Sequence, residues 1–285
     1  SCWSEFGDWV TFTRGTVTQK MRWIKSGKFV TGSPKSEEGR WGDEGPQHDV
    51  TLGQGFWLFD TPCTQDLWKA VMGNNPSKFP GAERPVEKVN WTEVQTFLGK
   101  LNESRPGLDL SLPSEARWEY ACRVGTTTAR YSGDDAKTLE SIAWYSNNND
   151  RQTQPVKSKA ANAWGLYDML GNVLEWCADD WHDSYDGAPS DGSAWRLSNK
   201  LVRVSRGGSW RGNVHYVRVP LRNGHNTGDR RYLIGFRCSR VHVSPANPAA
   251  AEPADPAGGR QAERRPEQGP PSAAVMLRLD RDGQD

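Results

Sequence analysis

No run in this sequence approaches the roughly 20 consecutive apolar residues that a membrane-spanning helix requires, so a helical span is excluded. Charge imbalance is almost absent: 36 Lys and Arg face 35 Asp and Glu, a formal net charge of +1. That removes any whole-molecule electrostatic case for nucleic acid or an anionic membrane as partner. The five cysteines, Cys2, Cys63, Cys122, Cys177 and Cys238, are widely spaced and form no CxxC pair, so a zinc-ribbon reading fails. An odd count at such spacing favours reduced thiols and a cytoplasmic protein; a secreted protein with one or two disulfides is the alternative. The opening SCWSEFGDWV carries no initiator Met, no basic segment and no apolar segment, which leaves an upstream targeting segment open. GxSxG is missing, and His48, His182, His215, His225 and His242 are scattered. His48 reads as a satisfied structural histidine rather than a catalytic one. No acid pair suggests hydrolysis beyond the loop DDWHDSYDG, which reads as solvated surface.

What the chain does have is tryptophan, 14 in 285 residues, many of them near glycine. That suits a loop-rich domain with an aromatic core. From Val243 to Asp285 the composition turns to Pro, Ala, Gly and charge without one aromatic residue. Such a segment cannot bury enough apolar surface to offset its chain entropy, so 243–285 is expected to be a disordered tail. Residues 19–242 read as one domain, with 1–18 as an N-terminal extension. Three helices are legible. TQDLWKAVMG opens on Thr64 as N-cap and stops at Gly73. NWTEVQTFLGKLNES opens on Asn90, with Glu93 completing a capping-box pattern, and Val94, Phe97, Leu98 and Leu101 mark its buried face. SEARWEYACRVG runs from Ser114 to Gly125. FVTGS, FWLFD, LVRVSRGGSW and IGFRCSR read as strands. The fold class is therefore α+β, with a large irregular fraction.

Six motifs in order carry a resemblance: FVTGS, EGPQHDVTL, LPSEARWEYACR, WGLYDMLGNVLEWCADDW, RVSRGGSW and IGFRCSR. Together, over about residues 28 to 240, they resemble the formylglycine-generating-enzyme (sulfatase-modifying factor) family, a variant of the C-type lectin fold. Beside the resemblance, Trp118, Trp164, Trp176 and Trp210 read as packing anchors rather than a ligand cage. Similar loops in the family hold a cation, which offers Asn172, Val173 and Glu175 as ligands for a structural calcium; side-chain-to-backbone hydrogen bonds that pin the loop are the preferred reading, and no cofactor is required. Calcium takes about 6–8 oxygen ligands, and only two side chains here supply one. The family's oxygen-dependent enzymes bind copper through two cysteines that follow the Gly-Gly-Ser-aromatic motif, and thiolates suit that metal. Those positions fall on Gly212 and Val217, so the resemblance implies a chain that is not an enzyme of this kind. An oxidoreductase of the same fold with a displaced metal site is the alternative.

A non-catalytic branch of the fold fits better. In variable proteins of diversity-generating retroelements, adenine rewriting of AAC codons changes a C-terminal surface but never yields Lys, Glu, Gln, Met or Trp. Those five types make up 55 of the 285 residues here, yet Arg211 to Ile234 contains none. This stretch is aperiodic, and it lies between RGGSW and IGFR, which read as clamps. Arg218, Arg222 and Asp229 read as polar links between them. The expected display positions are Arg211, Gly212, Asn213, His215, Tyr216, Leu221, Asn223, Gly224, His225, Arg230, Tyr232 and Leu233. Tyr and Arg dominate binding hot spots, and Tyr, Gly and Asn recur in antibody loops. The expected partner is an unidentified ligand, a protein surface before nucleic acid, bound by a monomer.

Overall fold

A computed structural model describes residues 7–197 and 200–241 of the chain. The expected tail over 243–285 lies outside the described residues. Strands β1 (Trp9–Arg14) and β2 (Val17–Ile24) form a hairpin turned at Gly15, whose φ of +59° suits glycine in a two-residue turn. They continue into an antiparallel sheet of order β1-β2-β5-β10, with β5 at Phe56–Phe59 and β10 at Ser239–Val241. This corrects the expected boundary at residue 18. Val10 and Phe12 of β1 lie in the core, with Phe12 5.7 Å from Phe59, so the domain begins before residue 19. Alternation in WVTFTR is the signal that reveals it, one face of β1 being buried.

Strands β3 (Gly27–Thr31) and β4 (His48–Leu52) make a separate two-stranded ribbon. The second four-stranded sheet has the order β8-β7-β6-β9. It contains β6 (Leu174–Asp180), β7 (Val202–Arg206), β8 (Arg222–Asn226) and β9 (Ile234–Gly235), the last running parallel to β6. IGFRCSR is thus not one strand. It supplies β9 to one sheet and β10 to the other, and Arg237 sits at the crossing.

The helices begin where their caps place them. In α1 (Gln65–Met72) the Thr64 hydroxyl accepts from Leu67 N–H, and Gly73 ends the helix at φ +81°. In α2 (Trp91–Ser104) Asn90 and Glu93 form the reciprocal capping box. In α3 (Glu115–Arg123) Ser114 caps the start. A short helix, α4, spans Leu139–Ile142. Helices α1 and α2 cover the first sheet through Trp68, Phe97 and Phe236; Trp68 stacks on Phe97 at 5.4 Å. A second core gathers Trp118 of α3, Val50, Leu52, Leu166, Leu170 and Val217. Trp118 and Trp176 are fully buried and Trp210 nearly so, while Trp164 is only partly covered. No helix among the described residues is long and apolar enough to cross a membrane.

Candidate binding surface

Four arginines fix the C-terminal third, because a planar guanidinium can satisfy carboxylates and carbonyls together. Arg206 ends β7 and is fully buried. It reaches Glu119 at 2.6 Å and Glu115 at 3.1 Å, and donates to the carbonyls of Val219 and Pro220. Arg237 grips Glu175 with two contacts of 2.7 Å and donates to the carbonyls of Phe59 and Tyr167. Arg222 is bidentate on Glu115 and also donates to the carbonyls of Asp43 and His182. Arg218 binds Glu44 and Glu37 and the carbonyls of Gly39 and His215. Burial alone would raise the carboxyls of Glu115 and Glu119, but the neighbouring arginines outweigh it and hold both below the usual carboxylate range. Asp229 reaches less far than expected: among the described residues its carboxylate pairs with nearby Arg231 at the surface.

Between the anchors the chain turns sharply. Gly208 has φ +72°, and a Cβ there would stand 2.3 Å from the Tyr216 carbonyl, so no larger residue fits. The turn over Val214–Tyr216 is capped by Asn213, whose Oδ1 accepts from His215 N–H at 2.9 Å. Arg211, Asn213, His215, Tyr216, Gly224 and Arg230 are exposed; Gly212, Asn223, His225, Tyr232 and Leu233 are half-buried. Leu221 is 3% exposed, which corrects its place among the display positions. It follows Arg218 in a turn pulled inward by the buried guanidinium. Leu233 packs against the larger core. His225 leans edge-on against Trp176 at 5.9 Å, with Nδ1 3.0 Å from the Ser205 hydroxyl. Burial pushes its imidazole down to about 4, so it is neutral at physiological pH. At Gly224 a Cβ would meet the Trp181 ring at 2.8 Å, so a larger residue there requires the indole to move.

The expected positions fall into two groups. Arg211 hydrogen-bonds the Tyr232 hydroxyl, and Tyr232 lies 5.8 Å from Trp210. Tyr216 and His215 meet the loop before β4: Tyr216 lies 5.9 Å from Trp41, and His215 lies against Gly39. The β8 positions rest instead on Ser205, Trp176 and Trp181, and Arg230 pairs with Glu93 of α2 at 2.9 Å. Three contributors were missed by sequence reasoning. Trp41, 49% exposed, supports Tyr216. Phe79 packs edge-on against Trp210 and Tyr232, and Lys78 lies 4.5 Å from the Tyr232 ring centre. Their only signal is large side chains in the aperiodic segments RWGDEG and NPSKFPG.

The residues expected to hold a cation are otherwise engaged. Both Glu175 oxygens are taken by Arg237, and Trp118 Nε1 adds a third bond at 2.8 Å. The Asn172 amide exchanges two bonds with Gln154 and donates to Asp168, while Val173 is buried. Arg237 already supplies the positive charge, so these residues do not fit calcium. Among the described residues no group of three His, Cys, Asp or Glu side chains could hold a metal ion. A thiolate-bound copper does not fit either: Gly212 and buried Val217 offer no sulfur. Cys63, Cys122, Cys177 and Cys238 are free and buried, and desolvation raises each thiol. His48 packs edge-on against Tyr185 at 5.4 Å, but its Nδ1 is buried without a hydrogen-bond partner, so it is not fully satisfied. The acidic loop is only partly solvated. Asp179 and Asp180 are buried in β6 and accept backbone N–H groups from Glu115, Trp195 and Leu197.

Comparison with known proteins agrees with this architecture. The structure is similar to Treponema denticola variable protein 1, with a TM-score of 0.72 and 30% identity, covering 81% of this chain and 98% of that one. It is similar to PvdO from Pseudomonas aeruginosa, with a TM-score of 0.73 and 30% identity, over 82% and 98% of the two chains. The sequence is 30% identical to a formylglycine-generating enzyme of Thermomonospora curvata over 217 residues, 68% of this chain and 67% of that protein. It spans only 38% of the length of some longer curated relatives that it matches. The model of the sulfatase-modifying factor enzyme 1-like domain matches residues 6–242, which takes in all of the described structure, and the chain belongs to that family.

Proposed function

We propose that this chain is a non-catalytic binding protein whose surface patch is diversified by a retroelement. One coincidence carries the reading. The stretch devoid of Lys, Glu, Gln, Met and Trp, Arg211 to Ile234, lies within the segment strung between buried Arg206 and Arg237, and it opens on the largely exposed Arg211–Tyr216 turn. The likeness to a variable protein along 98% of that chain supports it. So does the lack of sulfur at 212 and 217. The fold is held by arginine networks and two aromatic cores, so side chains on the turn can change while the backbone stays. The partner is a protein surface, and the binder acts as a monomer. The test is the DNA next to this gene. A near-copy of the codons for Arg206–Arg237, differing only at adenines and adjoined by a reverse transcriptase gene, is expected. Neighbouring DNA without such a copy would sink the reading.

A second reading has its own support: a relative of 30% identity is named a formylglycine-generating enzyme. It makes the chain an oxidoreductase with a displaced metal site. Stoichiometric copper or iron in the purified protein, with oxygen consumed in the presence of a thiol peptide, would establish it over the first.

A further inference from the structure

Tyr232 is an unusual display residue because its ring is already immobilised from three sides. Trp210 lies 5.8 Å away and donates its Nε1 to the Tyr232 carbonyl at 3.2 Å. Phe79 meets the ring edge-on at 6.3 Å. Lys78 places its ammonium 4.5 Å from the ring centre, and the Arg211 guanidinium lies 5.8 Å from it while bonding the hydroxyl. One tyrosine therefore carries two cations. Both are exposed, so their charges face solvent.

The surrounding charges do not neutralise them. Arg230 is matched by Glu93 and Arg231 by Asp229. Glu87, on which the Lys78 charge acts, is buried and spends one oxygen on the Phe79 N–H. What remains at the surface is a pair of cations converging on a rigid aromatic ring. A carboxylate meeting it would gain two charge-assisted contacts and a phenol donor, without ordering the aromatic bed first.

We propose that Lys78 and Phe79, which lie outside the diversified stretch, form with Arg211 and Tyr232 a site that receives an acidic segment of a protein partner. The choice of a protein partner rests on the display reading above. Rewriting can change Arg211 and Tyr232, but not Lys78. Every variant would then inherit one cation and one aromatic support at this position, which biases the repertoire toward acidic surfaces.

The experiment is fluorescence anisotropy with a labelled hexaglutamate peptide, at low and at physiological ionic strength. Lys78→Gln, Arg211→Gln and their combination are compared with Lys28→Gln, an exposed lysine on β3. Each single change is expected to weaken peptide binding about threefold and the pair about tenfold, as partly exposed charges do. Lys28→Gln should leave it unchanged. Equal loss in the Lys28 variant, or no peptide binding by the parent chain at low salt, would overturn the site. So would a ten-residue oligothymidylate binding more tightly than the peptide, since the partner class would then be nucleic acid. The readings fail separately. A missing template copy leaves the peptide result intact as a fixed anion site, and a missing peptide signal leaves diversified display intact.

Discussion

Glu87 is a carboxylic acid placed where a charge is costly. It is fully buried behind Phe79: one oxygen accepts the Phe79 N–H at 2.9 Å, and the other has no hydrogen-bond partner. Burial pushes the group up to about 7, against the pull of the Phe79 N–H and of the Lys88 and Lys78 charges. The unfolded value is about 4.3, so the native state holds its proton more tightly. The stabilisation from the neutral form is therefore complete below about 4.3 and is lost as the pH rises through about 7. Glu87→Gln should melt within about 1 °C of the parent at pH 5 and a few degrees, ~3 °C, above it at pH 8. Thermal melts at the two pH values check this, and parallel curves would mean that the carboxylate reaches water. Nothing in ERPVEKVN announces this burial, because acids are almost never fully buried unless paired. Thr64, Asn90 and Ser114 were legible because a cap acts on N–H groups two or three positions along its own chain.

Elements divide along the same line. The three helices could be read from the sequence because cap, period and stop are local. Strand β8 could not: Arg-Asn-Gly-His-Asn lacks β-branched and aromatic residues, and only pairing with β7 makes it extended. Strand β6 hid for another reason. LEWCADD is buried at all seven positions although it ends in two aspartates, which accept N–H groups of 115, 195 and 197, with Arg203 2.6 Å from the other Asp180 oxygen. The loop before β4 is tied most extensively by one distant residue, with Arg222 adding a bond to the Asp43 carbonyl. Arg218 ties Glu37, Gly39 and Glu44 together, and the loop places Trp41 against Tyr216. Arg218→Met keeps most of the volume but strands the buried Glu44. It should cost about 3–5 kcal/mol, as breaking one side of a buried pair does. Hydrogen exchange resolved by peptide should show 37–44 losing protection first, with α2 unchanged at short times. Uniform loss across the chain would show that Arg218 supports the whole fold rather than this loop.

At the scale of the whole molecule, stability and the surface proposed for recognition occupy different places. Two aromatic cores and four buried arginines carry the first; the proposed surface is a turn of six residues and one tyrosine. The six ordered motifs made this architecture legible, since each is a fixed point of the scaffold. The surface was legible only as a range, because which side chain in an aperiodic stretch points outward is decided by residues far away. Leu221 shows the limit: it sits in the middle of the range and is buried by the turn that Arg218 pulls inward. The separation makes a sharp prediction. Replacing Arg211, Asn213, His215 and Tyr216 together with Ser, Thr or Ala should shift the melting temperature by only a few degrees, because exposed substitutions usually stay within about 0.5 kcal/mol each. Leu221→Ala alone should remove about 2–5 kcal/mol and lower the melting temperature by roughly 5–15 °C. Differential scanning calorimetry of the two proteins side by side decides it. If the fourfold variant fell further than Leu221→Ala, the turn would be part of the fold's support, and no repertoire could be written on it.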